Sequence, residues 1–116
     1  MNIDDISRLK GVLGVGEFDQ LGNLVSYRSS ILDPVQADST ARLSGVLFSL
    51  ITNILSLYSK FCGVPMDHAD EILFHSQDLT MILMSGSKRS AGVIFRNSDL
   101  KTDEIRQYLG EYCGDR

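Results

Sequence analysis

Residues 43–59 read LSGVLFSLITNILSLYS, a run of seventeen positions without a charged side chain. At about 100° per residue, an α-helix places one set of large apolar side chains on a single face. These residues are Val46, Leu50, Ile54, Leu57 and Phe61. Further apolar residues flank this face, whereas an ordinary surface helix has a narrower stripe backed by charges. The stretch therefore predicts a helix that associates with other elements, and it carries almost no sign of catalysis.

The other side of this helix is small or neutral, which suits the close approach of a second element. It consists of Gly45, Ser49, Thr52, Asn53, Ser56 and Ser59. We expect this side to lie in a dimer interface, with the helix shared between its own sheet and a partner subunit. One alternative is the core helix of a monomer. A membrane span needs roughly 20 mostly apolar residues, and the six polar residues of this stretch disfavour it.

The helix itself begins before the uncharged stretch and ends soon after it. Asp33 can cap free amides, Pro34 suits the first helical position, and Gln36 can complete a capping box. Gly63 and Pro65 end the helix at about Cys62. At about 1.5 Å per residue, this helix spans roughly the full width of a domain of this size.

Strand signals lie on both sides of the long helix. Before it, a short helix at residues 2–10 precedes two strands, 12–19 and 24–29, which a glycine-bearing turn joins into a hairpin. After it, three strand-like runs at 71–76, 79–85 and 90–96 form a meander, and a last helix follows Asp99 and Thr102. The order predicts one α+β domain over residues 1–116. It has a five-stranded antiparallel sheet, a long central helix and two shorter terminal helices.

Composition limits the function classes. The 116 residues are 43% hydrophobic and 22% charged, which is ordinary for a folded globular domain. A net charge of −4 argues against nucleic acid as a partner. Asp4 and Asp5 stand where a signal peptide would be basic and then apolar. Cys62 and Cys113 are too sparse for a disulfide scaffold, so we expect buried, reduced thiols and a cytoplasmic protein.

The first hairpin carries a resemblance to a known family. Its residues Gly11-Val12-Leu13-Gly14-Val15 and Asp19-Gln20-Leu21-Gly22, with the long neutral helix and the meander, resemble the roadblock / dynein light chain family. The resemblance implies a roadblock-like fold and a non-enzymatic homodimer whose long helices pack side by side and whose edge strands join two sheets. It also implies a binding platform for small GTPases or cargo, or an accessory subunit of a larger complex. Some bacterial members stimulate GTP hydrolysis by a Ras-like partner.

The edge strand implied by this resemblance is the strand that follows the long helix. We expect residues 70–77 to pair with their copy in the partner, because exposed sheet edges are usually covered or charged. The residues that would meet there are Ile72, Leu73, Phe74 and His75. A second surface, the basic turn at Lys88 and Arg89, is a possible contact for an acidic partner.

Candidate chemistry is sparse. His68, Asp70, Glu71 and His75 are the only residues that resemble a metal site, and a solvated edge strand explains them better. The glycines of the first strand fit neither phosphate-binding pattern. We expect Gly14 and Gly16 to let a helix approach the sheet closely.

We therefore predict a non-enzymatic, homodimeric protein-binding platform, with no metal, no cofactor, no nucleic-acid partner and no membrane span. The alternative is a small-molecule-sensing domain of profilin-like or longin-like topology, with a pocket between the sheet and the helix. An enzyme is a further alternative, for which no nucleophile, base or metal set is visible.

Overall fold

The computed structural model describes residues 1–66 and 68–114. In chain order the elements are α1 (Ile3–Ser7), β1 (Val12–Phe18), β2 (Leu24–Ser29), α2 (Pro34–Cys62), β3 (Glu71–His75), β4 (Leu79–Ser85), β5 (Ser90–Arg96) and α3 (Thr102–Cys113). This order confirms the α+β class and the sequence of elements that the chain predicts. α1 is shorter than expected, since it ends at Ser7 rather than at residue 10.

The five strands form one sheet in the order β2-β1-β5-β4-β3. Every neighbouring pair is antiparallel, so the predicted sheet type is confirmed. β1 and β5 lie next to each other in the middle, while β2 and β3 form the two edges. The strand that follows the long helix is thus an edge strand, as predicted.

The helix starts follow the capping chemistry of the sequence. The Asn2 side chain accepts from the Asp5 amide while the Asp5 carboxylate accepts from the Asn2 amide. Asp33 and Gln36 make the same reciprocal pair at the start of α2. Gly63 ends α2 with a φ of +70°, a left-handed conformation that glycine adopts without the usual steric cost.

Two cores form on opposite faces of the sheet. On one face α1 and α3 cover the larger core, whose fully buried members include Ile6, Ile82, Phe95, Ile105 and Leu109. On the other face α2 covers a smaller core around Phe18, Ala41, Ile72 and Leu83. α2 is therefore the only cover of its face among the described elements, and the smaller core depends on it.

The fully buried contacts of α2 with the sheet side lie in its first half, and partly buried contacts extend to Ile51. Its buried residues are Ala37, Ala41, Ser44 and Gly45, and none from Val46 to Cys62 is buried. A Cβ on Gly45 would lie only 2.7 Å from the Gly22 Cα, so helix and turn meet backbone to backbone. Gly22, at φ +83°, supplies the predicted turn. Gly45 consequently contacts its own chain, which contradicts its predicted place in a dimer interface.

Gly14 and Gly16 of β1 do not make the close contact with a helix that the sequence predicts. A Cβ at Gly14 or Gly16 would have its nearest neighbours in β2, and none of these nearest atoms belongs to α2. A register shift between Val12 and Gly14 also breaks the alternation along β1. Val12 therefore packs against the α1/α3 core, although simple alternation would place it on the Phe18 face.

Gly45→Ala should destabilise the domain, because the new methyl group cannot fit against Gly22 without moving α2 or the turn. Alanine gains about 1 kcal/mol in a helix interior, and overpacking costs about 1–3 kcal/mol, so we expect a net loss of up to about 2 kcal/mol. Urea denaturation would measure the free energy of unfolding. Ser49→Ala, one turn further along and exposed, is the control and should change it little. Equal or greater stability of Gly45→Ala would show that the contact tolerates a methyl group.

Candidate interaction surface

The outer face of α2 is a continuous strip of exposed apolar side chains. We define this apolar strip as Leu43, Val46, Leu50, Ile54, Leu57 and Phe61. Leu50 and Ile54 are each 52% exposed and Phe61 is 84% exposed. Helical periodicity places the strip on the side of α2 opposite to Ala37 and Ala41, which face the sheet. A contiguous apolar surface of this kind is typical of an interaction site.

The polar residues of α2 do not form one partner-facing surface. Gly45 is buried against Gly22, and the half-buried Thr52 and Ser59 lie on the sheet side of the helix. Ser49, Asn53 and Ser56 are exposed and flank the apolar strip. The contact of Ser49, Thr52, Asn53, Ser56 and Ser59 with a partner stays a prediction, and the structure offers the apolar strip as a stronger candidate.

The edge strand β3 is a second surface with exposed apolar side chains. Ile72 is buried in the core beneath α2, while Leu73 and Phe74 are 36% and 39% exposed. At the start of the strand, Arg106 of α3 holds the Glu71 carboxylate with two hydrogen bonds of 2.7 and 3.0 Å. These bonds raise the pKa of the guanidinium, with the negative charge of Glu71 as a further cause. The two hydrogen bonds hold the start of β3 against α3.

The two histidines have separate partners. His75 Nδ1 lies 2.9 Å from the Thr80 hydroxyl, which also contacts the Asn97 side chain. His68 Nε2 lies 3.1 Å from Asp70 Oδ1. Within residues 1–66 and 68–114, no group of three or more histidine, cysteine or acidic side chains is placed to hold a metal ion. The cluster suggested by the sequence is therefore not brought together there.

The basic turn at Lys88 and Arg89 holds the end of α3. The Lys88 and Arg89 amides donate to the Cys113 carbonyl, at 2.9 and 3.1 Å. The Arg89 guanidinium donates to the Tyr112 carbonyl at 2.9 Å, stacks 4.8 Å from the Tyr112 ring centre and lies 3.5 Å from Glu17. Arg89 thus has intramolecular partners although its side chain is exposed, and a partner contact of Lys88 and Arg89 stays a prediction.

Burial at the end of α3 suppresses ionisation. It raises the pKa of the Cys113 thiol to about 11, with the Glu17 charge as a second cause. It raises the pKa of Tyr112 to about 12, where the hydrogen bond to Glu17 adds to the effect. A thiol held neutral is a poor nucleophile, as predicted. Cys62, however, is exposed at the end of α2, so its predicted burial is wrong.

Several solved structures have the same architecture as this chain. A structure described as MglB with tetrameric arrangement superposes with a TM-score of 0.77 at 10% identity, over 97% of this chain and 79% of its own. Myxococcus xanthus MglB superposes with a TM-score of 0.75 at 15% identity, over 94% of this chain and 83% of its own. A Streptomyces avermitilis Roadblock/LC7 domain gives 0.65 at 18% identity, over 90% of both chains. The chain has the roadblock fold. The roadblock-like fold expected from the first hairpin and the order of the elements is thereby confirmed.

No known family profile and no curated protein matches the sequence. The likeness to the roadblock structures therefore concerns the fold, at identities of 10–18%. α2 is also long and apolar enough to cross a membrane by length and composition, a test that a core helix of a soluble protein passes as well. In this fold the buried residues of α2 are Ala37, Ala41, Ser44 and Gly45, and none from Val46 to Cys62 is buried.

Arg89→Ala should lower the free energy of unfolding by about 1–2 kcal/mol, because it removes a cation from the end of α3 and from the Tyr112 ring. Lys88→Ala keeps the backbone amide that caps α3 and removes only an exposed side chain, so its effect should stay below about 0.5 kcal/mol. Thermal or urea denaturation of the two variants, side by side, measures the difference. Similar stabilities would mean that the Arg89 contacts contribute nothing in solution.

Proposed function

We propose that this protein is a non-enzymatic homodimer that binds another protein, as the resemblance to the roadblock family implies. The observation that carries the proposal is the apolar strip of α2, which is exposed along its length and points away from the sheet. Burying a large apolar side chain gains about 1.5–3 kcal/mol, so several such residues give a second copy a strong reason to cover them. In this proposal the α2 helices of two copies pack against each other through the strip.

The spacing of the strip fits a straight helix partner. From Leu43 to Phe61 the steps are three, four, four, three and four residues, so their mean is close to the 3.6 residues of an α-helical turn. The residues therefore stay on one side of α2 over its second half. No charge interrupts the strip, and Lys60 beside its end is the first charged residue after Arg42. Such a surface suits an identical helix, which presents the same uncharged residues.

The open edge at β3 supports a second contact between the same two copies. Ile72, Leu73, Phe74 and His75 form this edge, and their predicted pairing with a partner strand remains part of the proposal. An unpaired edge strand presents free backbone groups that favour strand addition. Pairing of two β3 strands would extend the five-stranded sheet across the dimer and cover the half-exposed Leu73 and Phe74.

The further partner is proposed by resemblance alone. Members of the roadblock family act as platforms for small GTPases or larger complexes, and we propose that this chain does the same in the cytoplasm. The described residues offer no clustered metal ligands, and the thiol of Cys113 is buried and held neutral. Binding without chemistry of its own is consistent with these groups.

Dimerisation is tested by light scattering of the purified protein, which should give twice the 12.9 kDa mass of the chain. Leu50→Glu and Ile54→Glu would each place an unpaired charge in the proposed interface, at a cost of several kcal/mol, and should give monomers. Ser49→Glu, beside the strip, is the matched control and should stay dimeric. Monomeric Ser49→Glu with dimeric Leu50→Glu would instead place the interface on the polar side of α2. A monomeric wild-type protein at micromolar concentration would overturn the proposal.

Partner binding is tested by affinity capture from cells that express the tagged protein, with mass spectrometry of the proteins retained. We expect a small GTPase or an enzyme complex to be retained by the wild type and released by raised salt if the contact is electrostatic. His75→Ala should retain the same partner, since no chemistry is assigned to it. Stoichiometric metal in the purified protein, or loss of capture by His75→Ala alone, would contradict a platform without chemistry.

A further inference from the structure

A cavity of about 50 Å³ lies between the sheet and the first half of α2. Its walls come from four strands of the sheet, β1, β2, β4 and β5, and from the inward side of the helix. On the sheet the apolar lining includes Phe18, Leu24, Met81, Leu83 and Ile94. On the helix it is lined by small residues, namely Ala37, Thr40, Ala41 and Ser44. The cavity therefore lies directly beneath the part of α2 that docks on the sheet.

Small residues face one another across this cavity without closing it. Gly14, Gly16 and Gly92 line the sheet side. A Cβ at Gly16 would lie 3.6 Å from the nearest heavy atom, the Tyr27 Cβ, which is an ordinary contact distance. Neither Gly16 nor Gly92 has a positive φ that would require glycine. Gly16 is thus required neither by its backbone conformation nor by a close neighbour, and its missing side chain leaves the space open.

Among the lining residues with a hydroxyl group, Ser29, Thr40 and Ser44 already have hydrogen-bond partners, whereas the Tyr27 hydroxyl has none among the described residues. Thr40 donates to the Gln36 carbonyl and Ser44 to the Thr40 carbonyl, both at 2.8 Å within α2. The Ser29 hydroxyl donates to the Leu13 carbonyl at 3.0 Å and accepts from the Ile31 and Leu32 amides. A polar ligand would find little to bond with there, and unpaired polar groups are costly to bury. The lining therefore favours an apolar ligand.

We propose that this cavity is a binding site for an unbranched alkyl group of about three to five carbons. One water needs roughly 10–15 Å³ of such space, so the cavity holds about three to five atoms of similar size. The cavity is partly open to solvent, and its apolar lining suits a small apolar group. The alkyl group would fill the gap between Gly16 and Ala41 and thereby strengthen the docking of α2 on the sheet. This site goes beyond the proposed platform function and does not depend on it.

The probe for the experiment is 1-butanol, added to ¹⁵N-labelled protein while amide shifts are followed by NMR. The amides of Gly14, Gly16 and Gly92 should shift and saturate, while that of Gly110, on α3 across the sheet, should not. The matched control is 1,4-butanediol, which has the same chain length and a hydroxyl group at each end. It should cause no saturable shift, because its second hydroxyl would be buried without a partner.

The variants Gly16→Ala and Gly16→Val test whether the cavity holds the alcohol. Both fill the space progressively, so binding of 1-butanol should weaken in the first and be lost in the second. The methyl group of Gly16→Ala makes only a contact of ordinary distance, so this variant should fold. It therefore still tests the cavity should Gly16→Val unfold. Equal shifts with both alcohols, shifts that do not saturate, or undiminished binding by both variants would overturn the proposal.

The dimer and the cavity can fail independently. Leu50 lies on the side of α2 opposite to the cavity, so Leu50→Glu should bind 1-butanol as the wild type does. A monomeric wild-type protein that still binds 1-butanol would overturn only the dimer. A dimeric wild-type protein that shows no saturable shift would overturn only the cavity site.

Discussion

The approach of α2 to the β1–β2 turn, with the backbone of Gly45 against Gly22, sets the position of every other residue of the helix. Because the sheet side of α2 also carries Ala37, Ala41 and Ser44, the helix docks through backbone and small groups. The larger side chains of Leu47, Phe48 and Ile51 pack partly buried against the same core, whereas those of the apolar strip point outwards. The exposed apolar strip is thus a geometric consequence of how the first half of the helix is held.

The sequence could not predict which face of α2 packs on the sheet. Periodicity separates an apolar arc from a polar one, but it leaves open which part of the wide apolar arc packs on the sheet and which part stays exposed. The deciding contact joins Gly22 and Gly45, which are far apart in the chain. The helix bounds, in contrast, follow from local chemistry. Asp33 and Gln36 begin α2 and Gly63 ends it, so they were predictable.

The same distinction separates the correct site predictions from the incorrect ones. The edge position of β3 was expected from the resemblance to the roadblock family, and the strand order confirms it. The intramolecular partners of Arg89, namely Glu17 and Tyr112, lie on other elements and could not be predicted. Val12 departs from simple alternation because the register shift after it changes the alternation of β1. Tertiary contacts and bulges decide these positions, and no short sequence window contains them.

In the proposed dimer, association is coupled to folding through α2. The second half of α2 has no buried residue, so in a lone subunit its helical state depends on the first half and on partly buried Leu47, Phe48 and Ile51. Helices gain most of their stability from packing of an apolar face, and here most of that face is turned to the outside. A partner that covers the strip adds packing energy to the folded state alone and thereby stabilises it by mass action. On this argument the stability of the domain and the affinity of the proposed dimer are two measures of the same contact surface.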